Sequence, residues 1–282
     1  MKSENHSINS IGETPKSNEE LRERIVQLEA EQQEMKKRHN LELQQLEQEL
    51  SALKARFITT VSHEFRTPLT TISFSAGLLE NYSAKISEAK KQTHFQRIKS
   101  GIEQMTSLLE DVLIVGKLEF GQCEMNLSSV NLEEIFHSSI EKVQSNTDKH
   151  QITLKVLGSN FEGLFDEILL KQLINNILSN AVKYSPKGGE VHCELLSENQ
   201  QAILKVKDFG IGIPKLDQER VFSNFYRGTN IDTISGTGLG LSLVKKIVDL
   251  HDGEIEIESE ENQGTLVQVS LPLIDKLATE SQ

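Results

Sequence analysis

From Glu19 to Phe57 no glycine or proline interrupts the chain. Leu21, Ile25 and Leu28 recur there at alternating four- and three-residue steps, and Met35 continues the register. Leu43, Leu46, Leu50, Leu53 and Phe57 resume it one position out of phase, with Glu, Gln, Lys and Arg between them. A seam of period 3.5 specifies a long helix that buries one stripe against a second helix, so this stretch predicts a short parallel coiled coil, with a stutter near His39, in a dimer. Polar Gln32 and His39 in the seam leave a single solvated amphipathic helix as the alternative.

The helix is expected to continue through Ala55 to about Tyr82, with Val61, Leu69, Ile72 and Leu79 on its apolar face. A second helical pattern runs from about Ser87 to Leu118, where Phe95, Ile98, Ile102, Met105, Leu109, Val112 and Val115 fall at three- and four-residue steps. Polar Asn81 to Glu88 supplies the turn. Two copies of such a hairpin can bury their stripes as a dimeric four-helix bundle.

Beyond a polar connector the pattern changes. Helices are predicted at Leu132 to Ser145, Asp166 to Lys183 and Leu239 to Leu250. Strands are predicted at Gln151 to Val156, Glu190 to Leu196, Ala202 to Asp208, Glu254 to Ser259 and Thr265 to Leu271. This alternation predicts an α/β sandwich with helices on one face of a mixed sheet, folding as a separate domain.

Composition narrows the function. A formal net charge of -12 argues against general nucleic-acid binding, which depends on Lys and Arg, but not against binding one nucleotide. Cys123 and Cys193 form neither metal spacing nor a disulfide framework, which favours the reducing cytoplasm. No stretch reaches the roughly 20 apolar residues of a membrane span. Input is therefore expected from a soluble partner, a small ligand or another subunit.

The chemistry-bearing residues cluster. In Ser62-His63-Glu64-Phe65-Arg66-Thr67-Pro68-Leu69, His63 and Thr67 share a helical face and Glu64 adjoins the histidine. A neutral imidazole can attack phosphorus, and a neighbouring carboxylate can orient it or take its proton. Pro68 removes a helical donor, so a bend is expected at this turn. Alone, His63 reads more readily as an exposed helical residue than as a nucleophile. Asn176 and Asn180, one turn apart, can offer two amide oxygens to Mg²⁺ beside ATP phosphates, and Lys183 and Tyr184 follow; two surface asparagines are the plain alternative. Asp208-Phe209-Gly210-Ile211-Gly212 ends an alternating strand, where a carboxylate could accept from an adenine amino group; the Gly-x-Gly alone marks no more than a tight turn. Gly236-Thr237-Gly238-Leu239-Gly240-Leu241 opens a helix, as a phosphate cradle does, but lacks the lysine of a P-loop. Between these loops Phe222, Phe225, Tyr226 and Arg227 suggest a mobile lid with an aromatic anchor and an arginine near phosphate, or a plain packed turn.

Taken together and in this order, the segments resemble the H, N, first glycine, F and second glycine boxes of two-component sensor histidine kinases, which join a HisKA hairpin to a GHKL-type ATPase domain. The resemblance spans roughly Leu53 to Leu271. It implies that His63 is the phosphoacceptor, assisted by Glu64, and that Thr67 positions water if the protein also dephosphorylates its partner. It also implies that Asn176 and Asn180 organise Mg²⁺, Lys183 lies near phosphate, Tyr184 lies against the base and Asp208 reads adenine. Gly210, Gly212, Gly236, Gly238 and Gly240, with Phe225, Arg227, Thr237 and Leu239, would shape the ATP pocket. The implied partners are a second copy of the chain, the receiver domain of a response regulator and a separate sensory protein, with no membrane span and no direct nucleic-acid contact. The expected division is a flexible tail at 1–18, a coiled coil at 19–54, a dimerisation and phosphotransfer domain at 55–120, a connector at 121–129, an ATP-binding domain at 130–274 and a tail at 275–282. Residues 1–52 carry no recognisable sensor. The readings left beside autophosphorylation are a phosphatase of the phosphorylated regulator and a nucleotide-binding scaffold.

Overall fold

The computed structural model describes residues 18–82, 85–119, 124–231, 234 and 236–273. The expected tails, part of the turn after Tyr82, the connector around Gly121, and Ser235 lie outside the described residues. The chain divides into two compact units, Met1–Arg56 and Phe57–Gln282.

Helix α1 spans Asn18–Tyr82. Strong helix formers carry its first part, supported by the pair of Glu34 with Arg38 at 2.8 Å. Leu21, Ile25, Leu28, Met35, Leu43 and Leu46 of the expected seam are exposed in the single chain. Pro68 sits inside the helix without ending it.

In the second unit, α1 meets α2 (Glu88–Glu119) as a hairpin, entered by a bond of 2.8 Å from Lys85 N to Tyr82 O. The helices come close at Gly101, where a Cβ would stand 2.9 Å from Ile72 and 3.4 Å from the Pro68 carbonyl. Ser75, fully buried, faces His94 Nδ1 at 3.4 Å. Leu69, Phe95, Ile102 and Leu109 of the predicted stripes stay exposed, as do Phe74 and Leu113.

The α/β part follows as β1 (Leu127–Asn131), α3 (Leu132–Gln144), β2 (His150–Leu157), β3 (Glu162–Asp166), α4 (Glu167–Lys183), β4 (Gly189–Glu198), β5 (Gln201–Lys207), α5 (Gly240–Leu250), β6 (Glu254–Glu260) and β7 (Gly264–Pro272). The main sheet has the order β2-β4-β5-β7-β6, parallel between β2 and β4 and antiparallel elsewhere. Strands β1 and β3 form a separate antiparallel pair. Neither was expected: β1 begins inside the segment read as connector. Its Ser-Ser-Val-Asn run has weak strand propensity, and its partner lies on the far side of α3 and β2, so no local window reveals the pairing.

Buried Phe136, Phe165, Leu170, Leu173, Leu178, Leu195, Leu243, Ile247 and Leu271 join the helices to the sheet. Each such side chain contributes about 1.5–3 kcal/mol. Cys193 belongs to the same core, and burial pushes its thiol up to about 12. Asn131 caps α3 by accepting from Glu133 N at 2.9 Å and Glu134 N at 3.4 Å. Asp166 caps α4 by accepting from Ile168 N and Leu169 N, each at 3.1 Å. His251 then ties α5 to this cap. Its Nε2 accepts from Asp166 N at 3.1 Å while Nδ1 donates to Ile247 O at 2.8 Å, a pairing that requires the neutral ring. Burial holds its pKa below the ordinary histidine value, in agreement. Strand β6 is an outer strand whose Glu254, Glu256, Glu258 and Glu260 are exposed and alternate with half-buried Ile255, Ile257 and Ser259. No helix among the described residues is long and apolar enough to cross a membrane.

Candidate active site

A cleft of about 360 Å³ opens in the second unit, and most residues singled out by sequence line it. One wall is α4. Asn176 and Asn180 present their side chains from successive turns, followed by Lys183 and, at the helix end, Tyr184. The Asn176 Nδ2 donates to Gln172 O at 3.0 Å. The Lys183 ammonium stands 4.9 Å from the Tyr184 ring centre, within cation–π range.

The facing wall is the glycine loop before α5, contributing Gly236, Thr237, Gly238 and Gly240. A Cβ on Gly236 would lie 2.3 Å from Lys183 Nζ, and one on Gly240 would lie 3.0 Å from Asn176 Oδ1 and 3.3 Å from Asn180 Nδ2. A side chain at Gly236 would push the flexible Lys183 ammonium aside, and one at Gly240 would press on both carboxamides. Thr237 Oγ1 accepts from Leu239 N at 3.2 Å, supporting the start of α5. Leu239 is fully buried and backs the loop rather than lining the cleft.

The floor is the end of β5. Asp208 Oδ1 accepts from Gly210 N at 2.8 Å and Thr265 N at 3.3 Å. Burial pushes this carboxyl above its ordinary value, against the pull of those bonds. Gly212 lines the cleft, whereas Gly210 lies behind it, seated against the Tyr184 carbonyl by the bond from Ile211 N to Tyr184 O at 3.0 Å.

The loop between the two glycine segments contributes Tyr226 and Arg227. Arg227 Nη2 donates to Ile231 O at 3.2 Å and Ile234 O at 2.6 Å, so its guanidinium braces the backbone of this loop. Phe225 is not in the cleft wall. It packs against the core, and its N–H donates to Gly238 O at 3.0 Å.

The hairpin supplies the last side. Glu64 is 6% exposed, and its Oε1 accepts from Gly236 N at 3.0 Å. His63 is exposed and outside the cleft lining, although it is the next residue along α1. Thr67 is also exposed, its hydroxyl donating to His63 O at 3.5 Å. The His63 turn thus abuts the cleft through Glu64, with the imidazole on another side of the helix.

This donor set fits a magnesium nucleotide: carboxamide oxygens suit a hard cation, an ammonium and a backbone amide suit phosphate, and a buried carboxylate suits an amino group. The close seat of Gly236 and Gly240 leaves the wall bare of side chains where a ligand would enter.

Residues 53–121 match the His Kinase A (phospho-acceptor) domain, and residues 165–275 match the histidine kinase-, DNA gyrase B- and HSP90-like ATPase family. The chain belongs to the two-component sensor histidine kinases. The circadian input-output histidine kinase CikA of Synechococcus elongatus is 33% identical over 237 residues, covering 80% of this chain and 31% of that protein. Sensor histidine kinase WalK of Bacillus subtilis is 33% identical over 225 residues, covering 78% and 36%. The chain therefore spans about a third of the length of these curated relatives. Among solved structures, full-length ShkA in complex with AMPPNP matches at a TM-score of 0.55 and 27% identity, over 76% of this chain and 45% of that one. Histidine kinase AdeS of Acinetobacter baumannii shares the fold at a TM-score of 0.55 and 21% identity, over 76% and 98%. ThkA, solved in complex with the response regulator TrrA, shares it at 0.53 and 20%, over 83% and 65%.

Two carboxylates, one in the cleft wall and one behind Tyr226, have no signature in the sequence. Asp111, on α2, lines the cleft and accepts from Gln172 Nε2 of α4. Burial pushes it above the ordinary carboxylate value. Asp217 sits in the charged run Lys215 to Arg220. It accepts from Tyr226 OH at 2.6 Å, Thr229 N at 2.8 Å and Thr229 Oγ1 at 3.0 Å. Those bonds, led by that of Tyr226, hold its pKa below the ordinary value. The contribution of Asp217 is therefore present above the ordinary carboxylate pKa and is lost as pH falls through the lowered one. Asp217→Ala should loosen the lid and weaken ATP binding about tenfold at neutral pH, since charged hydrogen bonds are worth about 1.5–3 kcal/mol each. Calorimetric titration with ATP measures this, and an unchanged affinity would show that lid order does not depend on Asp217.

Proposed function

We propose that the chain transfers the terminal phosphoryl group of ATP to its own His63 and then passes it to an aspartate on a response-regulator receiver domain. The observation that carries this reading is the bond from Gly236 N to Glu64: the residue next to the proposed nucleophile reaches the phosphate-side loop of the cleft in the same chain.

An imidazole nitrogen of His63 forms the new P–N bond as the bridging P–O bond to ADP breaks, and the imidazole N–H proton passes to Glu64 once domain movement has released its Oε1 from Gly236. Asn176 and Asn180 would hold Mg²⁺, which supplies charge neutralisation to the phosphates when bound. Lys183, Gly236, Thr237, Gly238 and Gly240 serve the phosphate side, Tyr184 packs on the base, and Asp208 accepts from the adenine amino group, with Gly210 and Gly212 shaping that end. Phe225 and Leu239 support the pocket from behind, and Arg227 orders the lid. Since His63 lies outside the cleft, transfer requires the ATPase domain to move about the 121–129 connector relative to the hairpin. The exposed seam of α1 and the exposed stripes of the hairpin are covered in this reading by a second copy of the chain. In this reading the enzyme is cytoplasmic and receives its input from a separate sensory protein. Thr67, exposed one turn from His63, also supports a phosphatase step in which its hydroxyl positions water at the phosphorylated regulator.

Incubating the full chain with Mg²⁺ and terminally labelled ATP tests the proposal. Acid-labile, alkali-stable label that moves to a supplied receiver domain is expected. Bound nucleotide without any label on the chain would sink the kinase reading in favour of a phosphatase or scaffold.

A further inference from the structure

The hairpin reaches into the cleft at the end where phosphate would bind. Glu64 of α1 is buried there, and its Oε1 accepts from Gly236 N at 3.0 Å. Gln104, Ser107, Leu108 and Asp111 of α2 line the same cleft, so both helices of the hairpin close one side of it. The Lys183 ammonium flanks the same glycine, 2.3 Å from where a Cβ on it would stand. A backbone N–H has one proton to donate, and an ionised carboxylate can only accept. A phosphate oxygen is the same kind of acceptor. The Glu64 carboxylate therefore takes a donor that a nucleotide phosphate needs, and with Glu64 seated in the cleft the two cannot share that N–H. A carboxylate and a polyphosphate gathered at one loop also repel each other.

We infer that Glu64 is an autoinhibitory plug in the phosphate end of the cleft, and that the phosphates of an incoming nucleotide displace it and undock the hairpin. The inference rests on the reading that this cleft holds ATP with its phosphates at Gly236, as proposed above, and adds the regulation of that site. One carboxylate then occupies two positions in turn. Docked, it blocks the loop and its Oε1 is spent on Gly236 N. Displaced, it leaves that N–H to phosphate and is free to take the imidazole proton of His63. No base is delivered to the nucleophile until the phosphoryl donor is in place. By linkage, docking of the hairpin lowers nucleotide affinity, and bound nucleotide weakens docking by the same factor.

The test is calorimetric binding of the non-hydrolysable analogue AMPPNP, and of adenosine, to the full chain in the presence of Mg²⁺. Glu64→Ala should tighten AMPPNP about tenfold, within the usual range of coupling between two sites. That sign is opposite to the loss expected on removing a residue that supports the cleft. Glu64→Asp keeps the charge but is one methylene shorter, and it should tighten AMPPNP nearly as much. Adenosine, which carries no phosphate, should gain less than about twofold in either variant. Unchanged or weaker AMPPNP binding in Glu64→Ala would show support rather than competition and overturn the inference. Tightening in the alanine but not the aspartate variant would show a distant charge effect, and equal tightening of adenosine a closure of the whole cleft; either result overturns it as well. If Glu64→Ala does not fold, Leu108→Ser loosens the same docking from α2, where Leu108 is half-buried in the cleft wall, and is read by the same comparison. A wild type that binds neither ligand would defeat the ATP-site reading, whereas one that binds AMPPNP with no gain in the variants would defeat this inference alone.

Discussion

Changing His63 to glutamine should abolish uptake of the terminal phosphoryl group while leaving nucleotide binding intact. Glutamine is of similar length and suits a helix, so α1 is undisturbed. Its amide nitrogen has a delocalised lone pair and does not attack phosphorus as imidazole does. Loss of a sole nucleophile costs at least about a thousandfold in rate. Because His63 is exposed and outside the cleft lining, the affinity for AMPPNP should be unchanged. Labelling and calorimetry on one preparation separate the two effects. Label that persists in the variant would place the acceptor elsewhere; lost binding would mean that this turn shapes the cleft more than its position indicates.

Gly212→Ala should damage both the fold and the cleft. Gly212 has φ +63, in the left-handed region, and an added Cβ would stand 2.0 Å from the Glu260 carbonyl oxygen. The loop has little room to yield. Asn262 N donates to Ile211 O at 2.7 Å, Ile213 N to Ser259 Oγ at 2.8 Å, and Asn230 Nδ2 to Gly212 O at 3.0 Å. Left-handed backbone costs alanine about 1–2 kcal/mol and overpacking about 1–3 kcal/mol. A total of about 3 kcal/mol lowers Tm by roughly 6–12 °C in a chain of this size. If the same energy separates the distorted loop from its binding-competent form, nucleotide affinity falls about a hundredfold. Gly77→Ala, in open space on α1, is the control: it should leave binding unchanged and slightly favour the helix. Thermal unfolding and calorimetry decide, and a Gly212 variant with normal Tm and affinity would show that the loop can move away from Glu260.

The fold was legible where each residue's role is local. Alternation in β4, β5 and β7 reveals strands, and α4 announces its start with Asp166 and its end with Pro186 and Gly188. Strands β1 and β3 escaped because neither has a persuasive pattern, and they support each other only after α3 and β2 are in place. The same distinction holds in the cleft. Asn176, Asn180, Asp208 and the glycines stand in recognisable strings. Asp111, by contrast, is one of two adjacent acidic residues between Leu109 and Val112, and Gln172, which donates to it, is far along the chain. Nor does the order of residues say which side Glu64 takes: adjacency suggested an orienter of His63, while the folded chain gives its Oε1 to Gly236. Long-range partners and side-chain direction are properties of packing, and a single sequence records only their raw materials.

The row of glutamates on β6 has a bearing on how the protein behaves in solution. An outer strand offers free backbone groups to any other chain in extended form, and four carboxylates spaced along its exposed face repel such an approach. The same charges repel one another within the strand, so their effect on stability and on colloidal behaviour should run in opposite directions. Raising ionic strength screens both: it should firm the domain against heat while lowering the second virial coefficient, so that the conditions in which the fold is most secure are those in which concentrated samples most readily associate.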